Sequence, residues 1–116
     1  MYNKITKDHF LNPRNVGEIK NPNAVGVAVN KTDGDKVQLH FRFENNQIAD
    51  AKMKVMGCVA AIAATSILTE MVIGMSRSEA LLITREMLAQ ALGGLPEQKM
   101  QCSLTCLDAL KQALKT

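Results

Sequence analysis

The feature that most constrains this chain is the change of period at Gly57-Cys58. Up to Met56 polar and apolar residues alternate as in a strand. From Val59 onward Val59-Ala60-Ala61-Ile62-Ala63-Ala64-Thr65 opens the longest apolar segment of the chain and reads as a buried helix. A strand therefore runs through a glycine turn directly into a helix, with a thiol at the joint. The first turn of a helix presents unpaired backbone N–H groups and the positive end of the helix dipole, which favour negative charge on sulfur. Cys58 is thus well placed to be a metal ligand. The competing reading of such a residue is a small buried hydrophobe.

The rest of the chain arranges itself around this joint. A helix is expected from Asn3 to Leu11, with Ile5 and Phe10 on one face, ended by Asn12-Pro13 because the residue before proline is pushed out of the α region. After a Gly-, Pro- and Asn-punctuated connection, strands are expected at Ala24–Asn30, Lys36–Phe43 and Ile48–Met56. The turns between them, Lys31–Asp35 and Glu44–Gln47, are short, which implies an antiparallel meander with one buried face.

Past Cys58 the pattern is helical. Ile62, Ser66, Thr69 and Ile73 mark the smaller-residue side of a long helix closed by Gly74 and Met75. Ser76 and Glu79 have the spacing of a capping box for a short helix through Leu82. Another helix spans Thr84 to Leu92 and stops at Gly93-Gly94, and a last one starts near Cys102 or Ser103 and runs through Leu107, Leu110 and Leu114. The expectation is a single α+β domain over residues 1–116: a three-stranded antiparallel sheet with an N-terminal helix and several C-terminal helices packed on one face.

Composition removes several function classes. Aromatic residues make up 3% of the chain and tryptophan is absent, so little is available for a base-stacking platform. The net charge of +3 is mild and its Lys and Arg are dispersed, which argues against nucleic acid. Three cysteines, an odd number, fit a reducing compartment. The first ten residues have no apolar signal core, and the segment from Val59 to Met75 is interrupted by Thr65, Ser66, Thr69 and Glu70, so no membrane span is expected. A soluble cytoplasmic protein follows. No paired acid and base and no nucleophile–histidine arrangement is evident, so no enzyme is expected.

Two further groups carry chemistry. Cys102 and Cys106 are four residues apart and share a face on a helix, so both can serve one metal centre or, equally, a buried stripe. Asp33 and Asp35 flank Gly34, a pattern that hairpin-turn chemistry explains by itself. His9 and His40 are isolated and receive no functional role.

Taken together, Asn12-Pro13-Arg14-Asn15-Val16-Gly17 after Lys7-Asp8-His9-Phe10, then Gly34-Asp35, then Gly57-Cys58-Val59-Ala60-Ala61-Ile62-Ala63 into Thr65-Ser66, then Lys99-Met100-Gln101-Cys102-Ser103 resemble the IscU/NifU-type iron–sulfur cluster assembly scaffold family. The order and spacing cover essentially the whole chain. The resemblance implies a scaffold on which a [2Fe–2S] cluster is built with sulfur from a cysteine desulfurase and passed to iron–sulfur acceptor proteins. It implies cluster ligands at the positions of Cys58 and Cys102, and a family aspartate at Asp35.

This chain departs from the family pattern at two places, with Asp33 standing where the family has its first cysteine and Gln101 where it has a histidine. The expected donor set becomes Cys58, Cys102 and Cys106 with one carboxylate, Asp35 before Asp33, which gives the four ligands a [2Fe–2S] cluster takes. The same mixed donors suit tetrahedral zinc, so a zinc-bound or metal-free interaction module of the same fold stands as the alternative. Leu95-Pro96-Glu97-Gln98-Lys99 replaces two residues of the family's chaperone-docking segment, which argues against chaperone docking. Homodimerisation is left open.

Overall fold

In the computed structural model, residues 2–32, 34–96 and 100–115 are described, with Gln101 and Cys102 described by their backbone alone. Helix α1 (Lys4–Leu11) starts where the Asn3 side chain accepts the Thr6 N–H and ends at Asn12, ahead of Pro13. Three strands follow, β1 (Ala24–Asn30), β2 (Asp35–Glu44) and β3 (Gln47–Met56), paired antiparallel in the order β1-β2-β3. The β2–β3 hairpin turns on Asn45 and Asn46, with φ of 52° and 65°. Two central residues of positive φ give a turn whose twist matches the strands, and asparagine tolerates that region.

The pairing register determines which side chains face inward. Asp35, Val37, Leu39, Phe41 and Phe43 share one side of β2, and all but Phe43 are buried. Helix α2 (Val59–Val72) lies against β3, and α5 (Met100–Leu114) covers β1 and β2. Between them are α3 (Arg77–Ala80), opened by the Ser76–Glu79 capping box, and α4 (Arg85–Ala91), capped by Thr84. The core is aliphatic apart from Phe41: Leu39, Phe41 and Ile48 from the sheet meet Leu68 and Val72 of α2 and Leu110 of α5. At Gly26 the close approach is extreme, since a Cβ there would sit 1.9 Å from the Ala109 carbonyl oxygen of α5.

The N-terminal helix packs on α2 through polar groups. Ser66 Oγ lies 2.7 Å from His9 Nδ1 and accepts the Arg14 N–H at 2.9 Å, while Thr69 Oγ1 accepts from Asn15 Nδ2 at 3.0 Å. The small residues expected on this side of α2 are therefore a docking face for α1 and the Asn12–Gly17 turn. Residues 15–17 then run beside β3, with Gly17 N–H donating to Met53 O and Met53 N–H to Asn15 O. The following segment crosses the outer face of the sheet, where Ile19 N–H donates to His40 Nδ1 and Glu18 pairs with Lys54.

The expected architecture holds, with shifts at element ends: β2 takes in Asp35, which was expected in the turn, and α3 ends at Ala80 rather than Leu82. The last helix begins at Met100 rather than at Cys102 or Ser103, so Cys102 lies inside its first turn.

Candidate metal centre

Asp35 is the first residue of β2 and lies on the inward side, 1% exposed. A carboxylate in that position needs partners, because leaving it unsolvated and unpaired is costly. Its partner is Cys58. The Asp35 carboxylate accepts the Cys58 backbone N–H on Oδ1 at 3.0 Å, and Oδ2 is 3.7 Å from the Cys58 Sγ. Cys58 is the N-cap of α2, with extended backbone (φ −75°, ψ 171°), and its own side chain makes no capping bond. The carboxylate thus puts negative charge at the helix start, where the dipole stabilises it.

Gly57 makes this fit possible. A Cβ on Gly57 would stand 2.4 Å from Asp35 Oδ1 and 2.9 Å from its carboxyl carbon. The glycine of the strand–helix joint therefore yields its side-chain space to the carboxylate, a role that reading it as a turn residue missed. The signal for Asp35 was present: it falls on the apolar parity of β2, where a charged residue calls for a specific partner. Cys58, like Tyr2, Val55 and Leu95, packs against the cluster of buried Ala60 and Ala61.

Cys106 occupies a different environment. It is fully buried among the core residues of α2, α5 and the sheet, and its thiol donates to the Ser103 carbonyl at 3.1 Å. Burial pushes this thiol up to about 12, against the opposing pull of the Thr65 hydroxyl beside it. The structure does not bring Cys106 to Cys58 and Asp35: among the described residues no three His, Cys, Asp or Glu side chains converge where a metal ion could be held. The expectation that Cys106 supplies a ligand gives way to its role in the core, because on α5 its stripe continues through Leu110, Ala113 and Leu114 into the interior. Asp33 and the side chains of Gln101 and Cys102 lie outside the described residues, as do residues 97–99 of the segment compared with the chaperone-docking motif.

The two histidines are accounted for without a ligand role. His9 joins α1 to Ser66 and faces Glu70 at 3.4 Å, and His40 accepts the Ile19 N–H. No helix among the described residues is long and apolar enough to cross a membrane.

Comparison with known proteins bears on the same arrangement. The family model of the NifU-like N terminal domain matches residues 1–116. The chain belongs to this family. Its similarity to curated members extends over nearly its whole length. It is 47% identical over 114 residues to the iron-sulfur cluster assembly scaffold protein IscU 1 of Archaeoglobus fulgidus, covering 98% of this chain and 74% of that one. It is 43% identical to the scaffold protein IscU of Aquifex aeolicus, with the same coverage of each chain. Among solved structures, a putative iron-sulfur cluster assembly scaffold protein for the SUF system from Fervidobacterium islandicum aligns with a TM-score of 0.79 at 26% identity, covering 97% of this chain and 96% of that one. A NifU-like N-terminal structure from Brucella abortus, 21% identical, shares the fold with a TM-score of 0.77 over 97% of this chain and 91% of that one.

Proposed function

We propose that this family member is a scaffold that assembles or carries a [2Fe–2S] cluster for transfer to iron–sulfur acceptor proteins, with sulfur supplied by a cysteine desulfurase, in the cytoplasm. The observation that carries the reading is the Cys58–Asp35 pair: a half-buried thiol at a helix N-terminus, 3.7 Å from a buried carboxylate oxygen. The curated relatives named as IscU scaffolds support it.

The donors in this reading are Cys58 and Cys102 with Asp35 and Asp33, and Cys106 is left to the core. Carboxylates are harder donors than thiolates and hold an iron–sulfur cargo more weakly. Weak holding suits a protein whose cluster must leave. An aspartate cannot accept a persulfide sulfur, so incoming sulfur lands on Cys58 or Cys102. No step here calls for a general acid and base pair, and the protein acts as a carrier rather than an enzyme.

The test is anaerobic reconstitution with iron and sulfide, followed by the visible spectrum and iron, zinc and sulfide analysis per chain. Comparable iron and sulfide with thiolate-to-iron charge-transfer bands, lost in Cys58→Ala and kept in Cys106→Ala, supports the scaffold. Colourless protein that retains zinc overturns it in favour of a zinc-bound interaction module docking on a desulfurase, which the mixed sulfur and oxygen donors equally suit.

A further inference from the structure

The outer face of the sheet, opposite the helices, is open at the end nearest Cys58. The register puts Val29, Lys36 and Met56 side by side in one row and Val27, Gln38 and Lys54 in the next. With neighbouring strands about 4.8 Å apart, each row spans about 10 Å. Met56 is 74% exposed and Val29 55%. These two apolar side chains flank Lys36 at the open end of the face. Between β2 and β3 the surface dips into a groove of about 190 Å3 lined by Lys36, Gln38, Lys54, Val55 and Met56, room for a single apolar side chain.

Charge specifies what enters it. Lys36, Lys52 and Lys54 share this face by register, and the acidic residue of β3 on the same face, Asp50, lies farther along, paired across to Arg42. Lys36 makes no ion pair among the described residues. Lys54 is already neutralised by a carboxylate of the chain itself, Glu18 of the crossing segment, which leaves Lys36 and Lys52 as the lysines of this face without an ion pair among the described residues. A second copy of this chain would set lysine against lysine in a two-fold pairing. The face therefore favours a partner of opposite sign.

We infer that this face docks an acidic acceptor protein that inserts one apolar side chain beside Met56 and sets flanking carboxylates on Lys36 and Lys52. Met56 is two residues before Cys58, so a partner seated here reaches over the mouth of the candidate metal centre. The identity of the partner rests on the scaffold reading; the docking itself does not.

The experiment uses the metal-free chain, isotopically labelled, titrated with the apo form of an acidic [2Fe–2S] ferredoxin as the probe, with amide shifts read by NMR. The expected result is perturbation centred on Val27, Val29, Lys36, Gln38, Lys54 and Met56, weakening with added salt. Lys36→Glu combined with Lys52→Glu should loosen binding about ten-fold, and Met56→Ser several-fold, with the fold of each variant checked by circular dichroism. Shifts confined to the helical side, unchanged affinity in the folded charge-reversed variant, or equal binding by an acidic protein of the same net charge without a cluster site would each overturn the proposal. So would concentration-dependent shifts at these residues without the probe, which mark a second copy as the occupant. Because both proteins are metal-free, failure here leaves reconstitution untouched, and failed reconstitution leaves the shift map standing.

Discussion

One carboxylate, that of Asp35, touches Cys58 twice: Oδ1 accepts its backbone N–H at 3.0 Å and Oδ2 lies 3.7 Å from its sulfur. The strand that carries Asp35 and the helix that Cys58 opens are thereby joined at one point, and changes at either residue are felt at the other.

Replacing Asp35 by alanine removes the acceptor of a partly buried N–H at the start of α2. The expected cost is about 1–2 kcal/mol in urea unfolding, and Asp35→Asn, which keeps an acceptor oxygen, should recover most of it. Equal midpoints for Asp35→Ala and wild type would mean that the contact contributes nothing to stability.

Gly57→Ala introduces a methyl group 2.4 Å from Asp35 Oδ1. The carboxylate or the turn must shift, with an expected loss of about 1–3 kcal/mol. In the double variant Gly57→Ala with Asp35→Ala the two losses should add to less than their sum, because the clash partner has gone. Strict additivity in a double-mutant cycle would sink this account of the glycine.

Cys106 is fully buried, and its thiol is pushed up to about 12. It should resist maleimide in the native protein at neutral pH and react on unfolding, as followed by mass spectrometry of digests. Cys106→Ser, which puts a hydroxyl into an apolar site, should destabilise by about 1–3 kcal/mol while leaving iron and sulfide content unchanged. Loss of cluster at full stability would return Cys106 to the ligand set.

His9 sits in the α1–α2 contact, 4% exposed, and burial holds its imidazole below the ordinary value of 6.5, reinforced by Arg14 and opposed by Glu70 and Asp8. The folded state thus prefers the neutral ring. The resulting stability is present above pH 6.5 and is lost as pH falls from there through the lowered folded value, because the unfolded chain takes up the proton first. His9→Gln should flatten the stability profile in this range; a slope unchanged by the substitution would assign it to other groups.

Much of the fold was legible because its signals are local. β1 has the expected bounds, Ala24–Asn30, and Thr84 and Ser76 cap the helices they were expected to open. The site was legible only in part. The glycine and thiol at the period change announced the strand–helix joint and the family resemblance singled out Asp35, but the turn chemistry of Asp33-Gly34-Asp35 concealed its pairing with Cys58, which its inward parity on β2 makes possible. For Cys106, spacing of four residues from Cys102 says that the two lie on one side of a helix, not whether that side faces a ligand or the interior. The inward run from Cys106 through Leu110 and Leu114 decides it, and that depends on where the sheet lies beneath α5.

The two margins of the sheet are both occupied from within the chain. Residues 15–17 run along β3 and exchange hydrogen bonds with Met53, and at the opposite margin the Gln112 side chain accepts the Val27 N–H at 2.6 Å. Unpaired strand margins recruit foreign strands and seed fibrils. With these positions filled, association by adding a strand is blocked at the middle of either margin, and growth into extended sheets is disfavoured. Partners are left with the faces and ends of the molecule, which is where a carrier has to be met if its cargo is to be reached.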